Sequence, residues 1–307
     1  MGNVLTTDLL TKKYKKHFAV NGVSMNIDQG DIYGFVGENG SGKTTVIRLI
    51  TGLIYPYSGS FKLFGVDNRS KNIGKARSRV GAIVESPSIY MNMSAYDNLK
   101  MQCALLGVKD QNKIIEVLND VGLGDLYNVK KHASDFSLGM RQRLGIAMAL
   151  LGEPELLILD EPMNGLDPAG IVEIRELILK LNRERNITFL ISSHILTELS
   201  LVATKYGIIS KGKILKEITS EQLHNECTKT TLIIADNIDE LYRVVTETLP
   251  TAKTEITEKG VKIIGDINYN AVLSAIIDAN IQILGIQNSE TTFEEYYLNV
   301  IGGANNE

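Results

Sequence analysis

At 307 residues, with 44% hydrophobic and 22% charged side chains, the chain can build a sizeable core and is excluded from the disordered class. Its length fits one large α/β domain plus a smaller one. A net charge of -4 gives no global electrostatic reason to expect nucleic acid as a partner. The one basic run, Lys12, Lys13, Lys15 and Lys16, reads as a solvated turn between strands. Cys103 and Cys227 lie far apart and outside any CxxC pair, so neither a disulfide framework nor a zinc site is expected, and a reducing cytosol is the natural home. The N-terminus lacks the apolar core of a signal peptide, and no apolar stretch is long enough to cross a bilayer. Any membrane part of the process is then expected from another polypeptide.

The opening segment alternates short apolar bursts (Val4, Leu5; Val20; Val23, Met25, Ile27) before a Gly30-Asp31 turn, the pattern of an antiparallel β layer. Ile32 to Val36 reads as a buried strand, a glycine-rich loop follows, and Thr44 to Leu53 has helical apolar spacing. Helical periodicity returns from about Ser94, a candidate N-cap, to Val121, and again over Leu138 to Leu151. Glu155 to Asp160 is an aliphatic run ending in carboxylates, as in a central parallel strand. A helix from Ala169 to Leu181 and a strand from Ile187 to Ser192 complete an α/β core.

Beyond about Ser220 the composition changes. The order is strand Thr231 to Ala235, helix Ile238 to Leu249, strands Lys253 to Thr257 and Val261 to Ile264, helix Tyr269 to Asp278, and strand Ile281 to Ile286. This β-α-β-β-α-β succession predicts a small ferredoxin-like α+β domain. The expected division is 1–220 with a helical insertion at about 94–150, followed by 221–307.

Gly37-Glu38-Asn39-Gly40-Ser41-Gly42-Lys43-Thr44 matches GxxxxGK[ST] between a predicted strand and a predicted helix, the P-loop context. Glycines let backbone N–H groups converge on a phosphate, Lys43 brings a cation to the β- and γ-phosphates, and the helix N-terminus adds its positive end. Gly37, Asn39, Gly40, Ser41, Gly42, Lys43, Thr44 and Thr45 are therefore the candidate ATP-binding residues, with Thr44 also offering its hydroxyl to Mg²⁺. The strand Leu156-Leu157-Ile158-Leu159 delivers two carboxylates with separable tasks. Asp160 can hold Mg²⁺ through a water, and Glu161 can orient or deprotonate the water that attacks the γ-phosphate.

Phe136-Ser137-Leu138-Gly139-Met140, just upstream of that strand, resembles the signature motif of ABC ATPases. It keeps Ser137 and Gly139 of the family's LSGGQ, with Leu138 and Met140 replacing a glycine and the glutamine. Asn164-Gly165-Leu166-Asp167 resembles the D-loop, His194 the switch histidine, and Tyr14 the aromatic that stacks on adenine, with Phe18 as the second candidate. The resemblance covers roughly residues 1–220. It implies a P-loop core of ABC type with an antiparallel β layer and a helical subdomain, and a head-to-tail homodimer enclosing two ATPs. Each nucleotide would meet Ser137, Gly139, Met140 and Asp167 of the opposite copy.

Most of the family places glutamine where this chain has Glu85, in a loop that meets both Mg²⁺ and the membrane subunit, and the Glu85 carboxylate can still donate an oxygen to Mg²⁺ as a candidate metal ligand. Ile83-Val84-Glu85-Ser86-Pro87, Ser137-Leu138-Gly139-Met140 and Thr292-Phe293-Glu294-Glu295-Tyr296-Tyr297 are similar to the bacitracin and lantibiotic resistance ATPases, whose loop carries Glu. That resemblance implies an ATPase on the inner face of the membrane that drives permease subunits exporting peptide antibiotics. Another exporter, an importer, or a non-transport ABC ATPase acting on ribosomes or DNA remain alternatives, the last disfavoured by a single uninterrupted cassette.

Overall fold

The computed structural model describes residues 2–227, 229–265, 267–290 and 292–304. The chain divides into two compact units, the first running to Ser220 and rejoined from Val300, the second spanning Glu221–Asn299.

A six-stranded sheet forms the centre of the first unit, in the order Lys213–Thr219, Lys205–Ser210, Ile32–Val36, Thr188–Ser193, Leu156–Asp160, Val80–Ile83. Neighbours pair in parallel except at the Lys213–Thr219 edge, which forms a hairpin with Lys205–Ser210. Every residue of Ile32–Val36, Leu156–Asp160 and Thr188–Ser193 is buried, so these strands are mainly apolar runs rather than alternations, with polar residues at strand ends such as Asp160 and Ser192.

A four-stranded antiparallel sheet packs beside it, in the order His17–Asp28, Asn3–Tyr14, Ser58–Leu63, Val66–Asp67. The helix Lys43–Thr51 lies in the core that both sheets share. Val46, Ile47 and Ile50 pack with Leu5, Val23 and Phe61 from the antiparallel layer and with Leu156, Ile158 and Leu190 from the central one. The helix that begins at the glycine loop is thereby fixed against both layers. The basic run lies where the first two strands turn, with Lys15 at φ 53°.

The helical part comprises Ala95–Leu106, Asn112–Asp120 and Leu138–Leu150. Ser94 caps the first by accepting the Asp97 N–H, and Gly107 at φ 72° ends it. Pro168–Arg185 is longer than the apolar spacing suggests, because Asp167 caps its start, Pro168 occupies its first turn, and Asn186 closes it at φ 52°.

The second unit contains an antiparallel sheet in the order Lys253–Thr257, Gly260–Ile264, Lys229–Ala235, Ile283–Glu290. Taken in chain order this is 2-3-1-4, the ferredoxin-like arrangement that the element succession predicts. Helices Ile238–Thr248 and Tyr269–Asp278 bury Leu241, Val245, Val272 and Ile276 against Ile233, Val261 and Ile263.

Candidate nucleotide site

Strand register brings the chemistry together. Val36 pairs with Ser193, Phe35 with Ser192, and Asp160 with Ser192. The residues that follow, Gly37, Glu161 and His194, therefore leave the sheet side by side at the carboxyl ends of parallel strands, where open α/β sheets place their ligands.

The loop 37–42 bends sharply around its own helix N-terminus. A Cβ on Gly37 would stand 2.4 Å from the Ile209 carbonyl oxygen, and one on Gly42, at φ 111°, would stand 2.6 Å from the Ala19 oxygen. Only glycine permits this approach. Residues 38–40 form an exposed crest, while Ser41 and Lys43 are each 5% exposed. Lys43 Nζ donates to the Gly37 oxygen at 2.6 Å and the Glu38 oxygen at 3.3 Å, which aims the ammonium into the curve of the loop.

Glu161 meets that ammonium. Its Oε1 is 3.2 Å from Lys43 Nζ, and its Oε2 is 2.8 Å from Nδ1 of His194. The backbone of Glu161 is held at φ 51°, a conformation few non-glycine residues adopt, and its N–H donates to Oγ (3.0 Å) and O (3.1 Å) of Ser192. Ser192 Oγ also donates to Asp160 Oδ1 at 2.5 Å, and Asp160 is 2% exposed. One hydroxyl thus orients both carboxylate residues. Sequence reasoning passed over Ser192, although its position two residues before His194 on a strand between the two motifs was the available signal.

Ser137, Gly139, Met140 and Asp167 form a second group. Ser137 is exposed and caps the helix Leu138–Leu150 by accepting the Met140 N–H at 3.1 Å. Asp167 is exposed and caps Pro168–Arg185 through the Gly170 N–H at 3.2 Å. The two helix starts adjoin, since a Cβ on Gly139 would lie 3.9 Å from Gly170 Cα and one on Gly165 would lie 3.4 Å from Leu138 Cδ2. An exposed hydroxyl, a glycine without a side chain and first-turn N–H groups are together the kind of chemistry that can hold an anion.

Tyr14 ends the first strand opposite His17, 43% exposed, with Lys12 Nζ 5.3 Å from its ring centroid. Phe18 is 39% exposed and packs edge-on to Tyr57 at 6.3 Å, with Lys13 Nζ 4.7 Å from its own centroid. Lys12 faces Tyr14 and Lys13 faces Phe18, so the two candidate rings belong to separate cation–aromatic clusters. Glu85, at φ 66°, pairs its carboxylate with Arg48 Nη2 on the loop's own helix, so the structure directs this side chain to a guanidinium. Two residues on, Pro87 fits against Gly145, where a Cβ would stand 2.5 Å from Pro87 Cβ. The same stretch borders a groove of about 970 Å³ whose walls include Val84, Ser86, Met101, Leu105 and Met148.

The site's own groups fit a nucleotide with its ion. Ser41 Oγ is buried without a hydrogen-bond partner among the described residues, inside a loop that already converges on an anion position. Thr44 and Asp160 would offer hard oxygen atoms of the kind that suits Mg²⁺, with the remaining positions left to phosphate oxygens and water.

Comparisons with known proteins identify the family. A family model described as ABC transporter matches residues 20–164. The bacitracin transport ATP-binding protein BcrA of Bacillus licheniformis is 42% identical over 305 residues, covering 99% of both chains. The chain belongs to the ABC transporter ATP-binding family. This ABC ATPase is also 46% identical over 208 residues to the lantibiotic transport ATP-binding protein SrtF of Streptococcus pyogenes, covering 68% of this chain and 87% of that one. Among solved structures, cbiO1 from Clostridium perfringens, part of the ABC transporter complex cbiONQ, matches with a TM-score of 0.66 at 26% identity, over 81% of this chain and 97% of that one. As a member of this family the chain is an ATP-hydrolysing subunit, and the expectations of a P-loop core and an ABC cassette hold. No described helix is long and apolar enough to cross a membrane.

Proposed function

We propose that this ABC ATPase drives the export of peptide antibiotics of the bacitracin or lantibiotic type, conferring resistance or self-immunity. It acts as a homodimer on the inner face of the membrane, beneath permease subunits. The observation that carries this reading is the 42% identity to BcrA across 99% of both chains, which extends through the small C-terminal unit as well as the cassette. In this reading the permease docks at the groove beside Ser86 and Met101, which combines apolar walls such as Leu105 and Met148 with charged ones such as Lys109 and Asp110.

In the proposed reaction the loop 37–45 and Lys43 bind the phosphates. Thr44 and Asp160 would hold Mg²⁺, which when bound would supply charge neutralisation to the phosphates. Ser192 fixes both carboxylates, Asp160 through its Oδ1 and Glu161 through its backbone N–H. Glu161 orients a water and accepts its proton as the water oxygen bonds to the γ-phosphorus and the bond to the β-phosphate oxygen breaks. His194, at 2.8 Å, fixes the Glu161 carboxylate for that task. Tyr14 stacks on adenine. Ser137, Gly139, Met140 and Asp167 of one protomer close on the γ-phosphate bound by its partner, so ATP joins two subunits and hydrolysis releases them. Glu85 stands between the metal and the permease groove and tunes the coupling of the two.

The test is co-expression with permease subunits of a bacitracin or lantibiotic exporter in a sensitive bacterium. Inhibitory concentrations of bacitracin and of a lantibiotic are expected to rise, and to fall back with Glu161→Gln. Active ATPase and permease with unchanged sensitivity to both would contradict the antibiotic reading.

A further inference from the structure

Glu85 places a carboxylate in a loop that the proposed function sets beside the bound triphosphate. A negative charge there opposes ATP unless something offsets it. Arg48 lies four residues after Thr44 in Lys43–Thr51, one helical turn from the phosphate loop, and its Nη2 pairs with Glu85 Oε1. The two side chains are 37% and 61% exposed, so the pair contributes little to folding. Two further features give it another purpose. Glu85 is held at φ 66°, an uncommon conformation outside glycine, and the chain is pinned again two residues later, where Pro87 sits on Gly145 of the signature helix. The segment from Glu85 to Pro87 thus runs from the phosphate-loop helix to the signature helix with a charge pair at one end and a steric fit at the other.

We propose that Arg48 is the positioning residue for Glu85: it holds the carboxylate on the phosphate-loop helix and offsets its charge toward the ATP triphosphate. This rests on the reading of residues 37–45 as the ATP site. Freed of Arg48, the carboxylate repels the nucleotide; converted to an amide, Glu85 no longer needs the guanidinium.

The experiment is MgATP titration calorimetry on the full chain, unsubstituted and as Arg48→Ala, Arg48→Lys, Glu85→Gln, the double variant Arg48→Ala with Glu85→Gln, and the swap Arg48→Glu with Glu85→Arg. Arg48→Ala is expected to weaken MgATP about five-fold, the scale of one unit charge near the surface. The loss shrinks between about 0.05 M and about 0.5 M salt as the charges are screened. Arg48→Lys and the swap restore most of the affinity, and in the Glu85→Gln background the Arg48→Ala effect is clearly smaller. An equal effect with and without Glu85, or one insensitive to salt, overturns the proposal. If Arg48→Ala fails to fold, the Lys variant and the swap decide on the same criteria. Absence of MgATP binding by the unsubstituted chain would instead overturn the reading of the loop.

Discussion

Glu161 Oε2 lies 2.8 Å from His194 Nδ1, although the two residues follow different strands and stand 33 positions apart. The contact follows from register: Asp160 pairs with Ser192, so the residues just beyond the strand ends converge. Because Glu161 also meets Lys43 at 3.2 Å, its carboxylate is shared between the phosphate-loop cation and the histidine. Removing the histidine leaves the carboxylate directed by lysine alone. His194→Ala is expected to lower kcat about 100-fold, on the scale of one mispositioned acid–base group, while KM for MgATP changes little. A loss confined to KM in steady-state assays would place His194 in nucleotide binding instead.

Tyr14 and Phe18 compete for adenine, and their surroundings differ. Phe18 is engaged edge-on by Tyr57 and faced by Lys13, whereas Tyr14 has only the Lys12 ammonium beside its ring among the aromatic and cationic contacts of the described residues. Tyr14→Ala is expected to weaken ATP about ten-fold, in keeping with the loss of one ring–base stack. Tyr14→Phe should be near neutral and Phe18→Ala weaker in effect than Tyr14→Ala. Competition with a fluorescent ATP analogue measures all three, and a larger loss for Phe18→Ala would reverse the assignment.

Gly145 sits inside the helix Leu138–Leu150, where alanine would ordinarily favour the helix by about 1 kcal/mol. Here an added Cβ meets Pro87 Cβ at 2.5 Å and Ile83 Cδ1 at 3.3 Å. Overpacking of that kind costs about 1–3 kcal/mol, so the clash wins and Gly145→Ala should lower the urea midpoint. Gly74→Ala is the control, since a Cβ there meets nothing within 4 Å, and it should leave stability unchanged or slightly raised.

The Arg79 guanidinium, 2.5 Å from Glu155 Oε1, draws the Glu155 carboxyl below its ordinary value near 4.5. A depressed carboxyl stabilises the fold above its unfolded pKa and loses that contribution as pH falls through the lower folded value. With Glu155 half exposed the contribution stays under about 1 kcal/mol. Urea melts of the unsubstituted chain and Glu155→Gln should differ slightly at neutral pH and converge as the pH falls below the ordinary carboxylate range; a gap that widens in acid would contradict the pairing.

The parts legible in the sequence were those with local signatures. The glycine loop, the two carboxylates after an aliphatic strand and the βαββαβ succession each fix their structure through neighbouring residues. The strand Val80–Ile83 is too short to show a period, and Ser58–Leu63 opens on Ser-Gly-Ser, so long-range pairing rather than propensity makes both strands. The Lys205–Ser210 and Lys213–Thr219 hairpin closes the sheet edge without an Asn-Gly type turn pair to announce it. Arg48 meeting Glu85 and Ser192 meeting Asp160 are contacts across 37 and 32 residues. They arise from sheet order and register, which no single stretch of sequence states.

The most direct test of the account is light scattering with and without MgATP on Glu161→Gln. The amide keeps the shape of the side chain but cannot accept the water's proton, so ATP should bind, hydrolysis should fall by at least about 100-fold, and the two half-sites should stay closed. A stable dimer formed only with MgATP is the predicted result. A chain that remains monomeric with MgATP bound, or that hydrolyses ATP at the unsubstituted rate, would contradict the roles given to Glu161 and to the opposing Ser137 and Gly139.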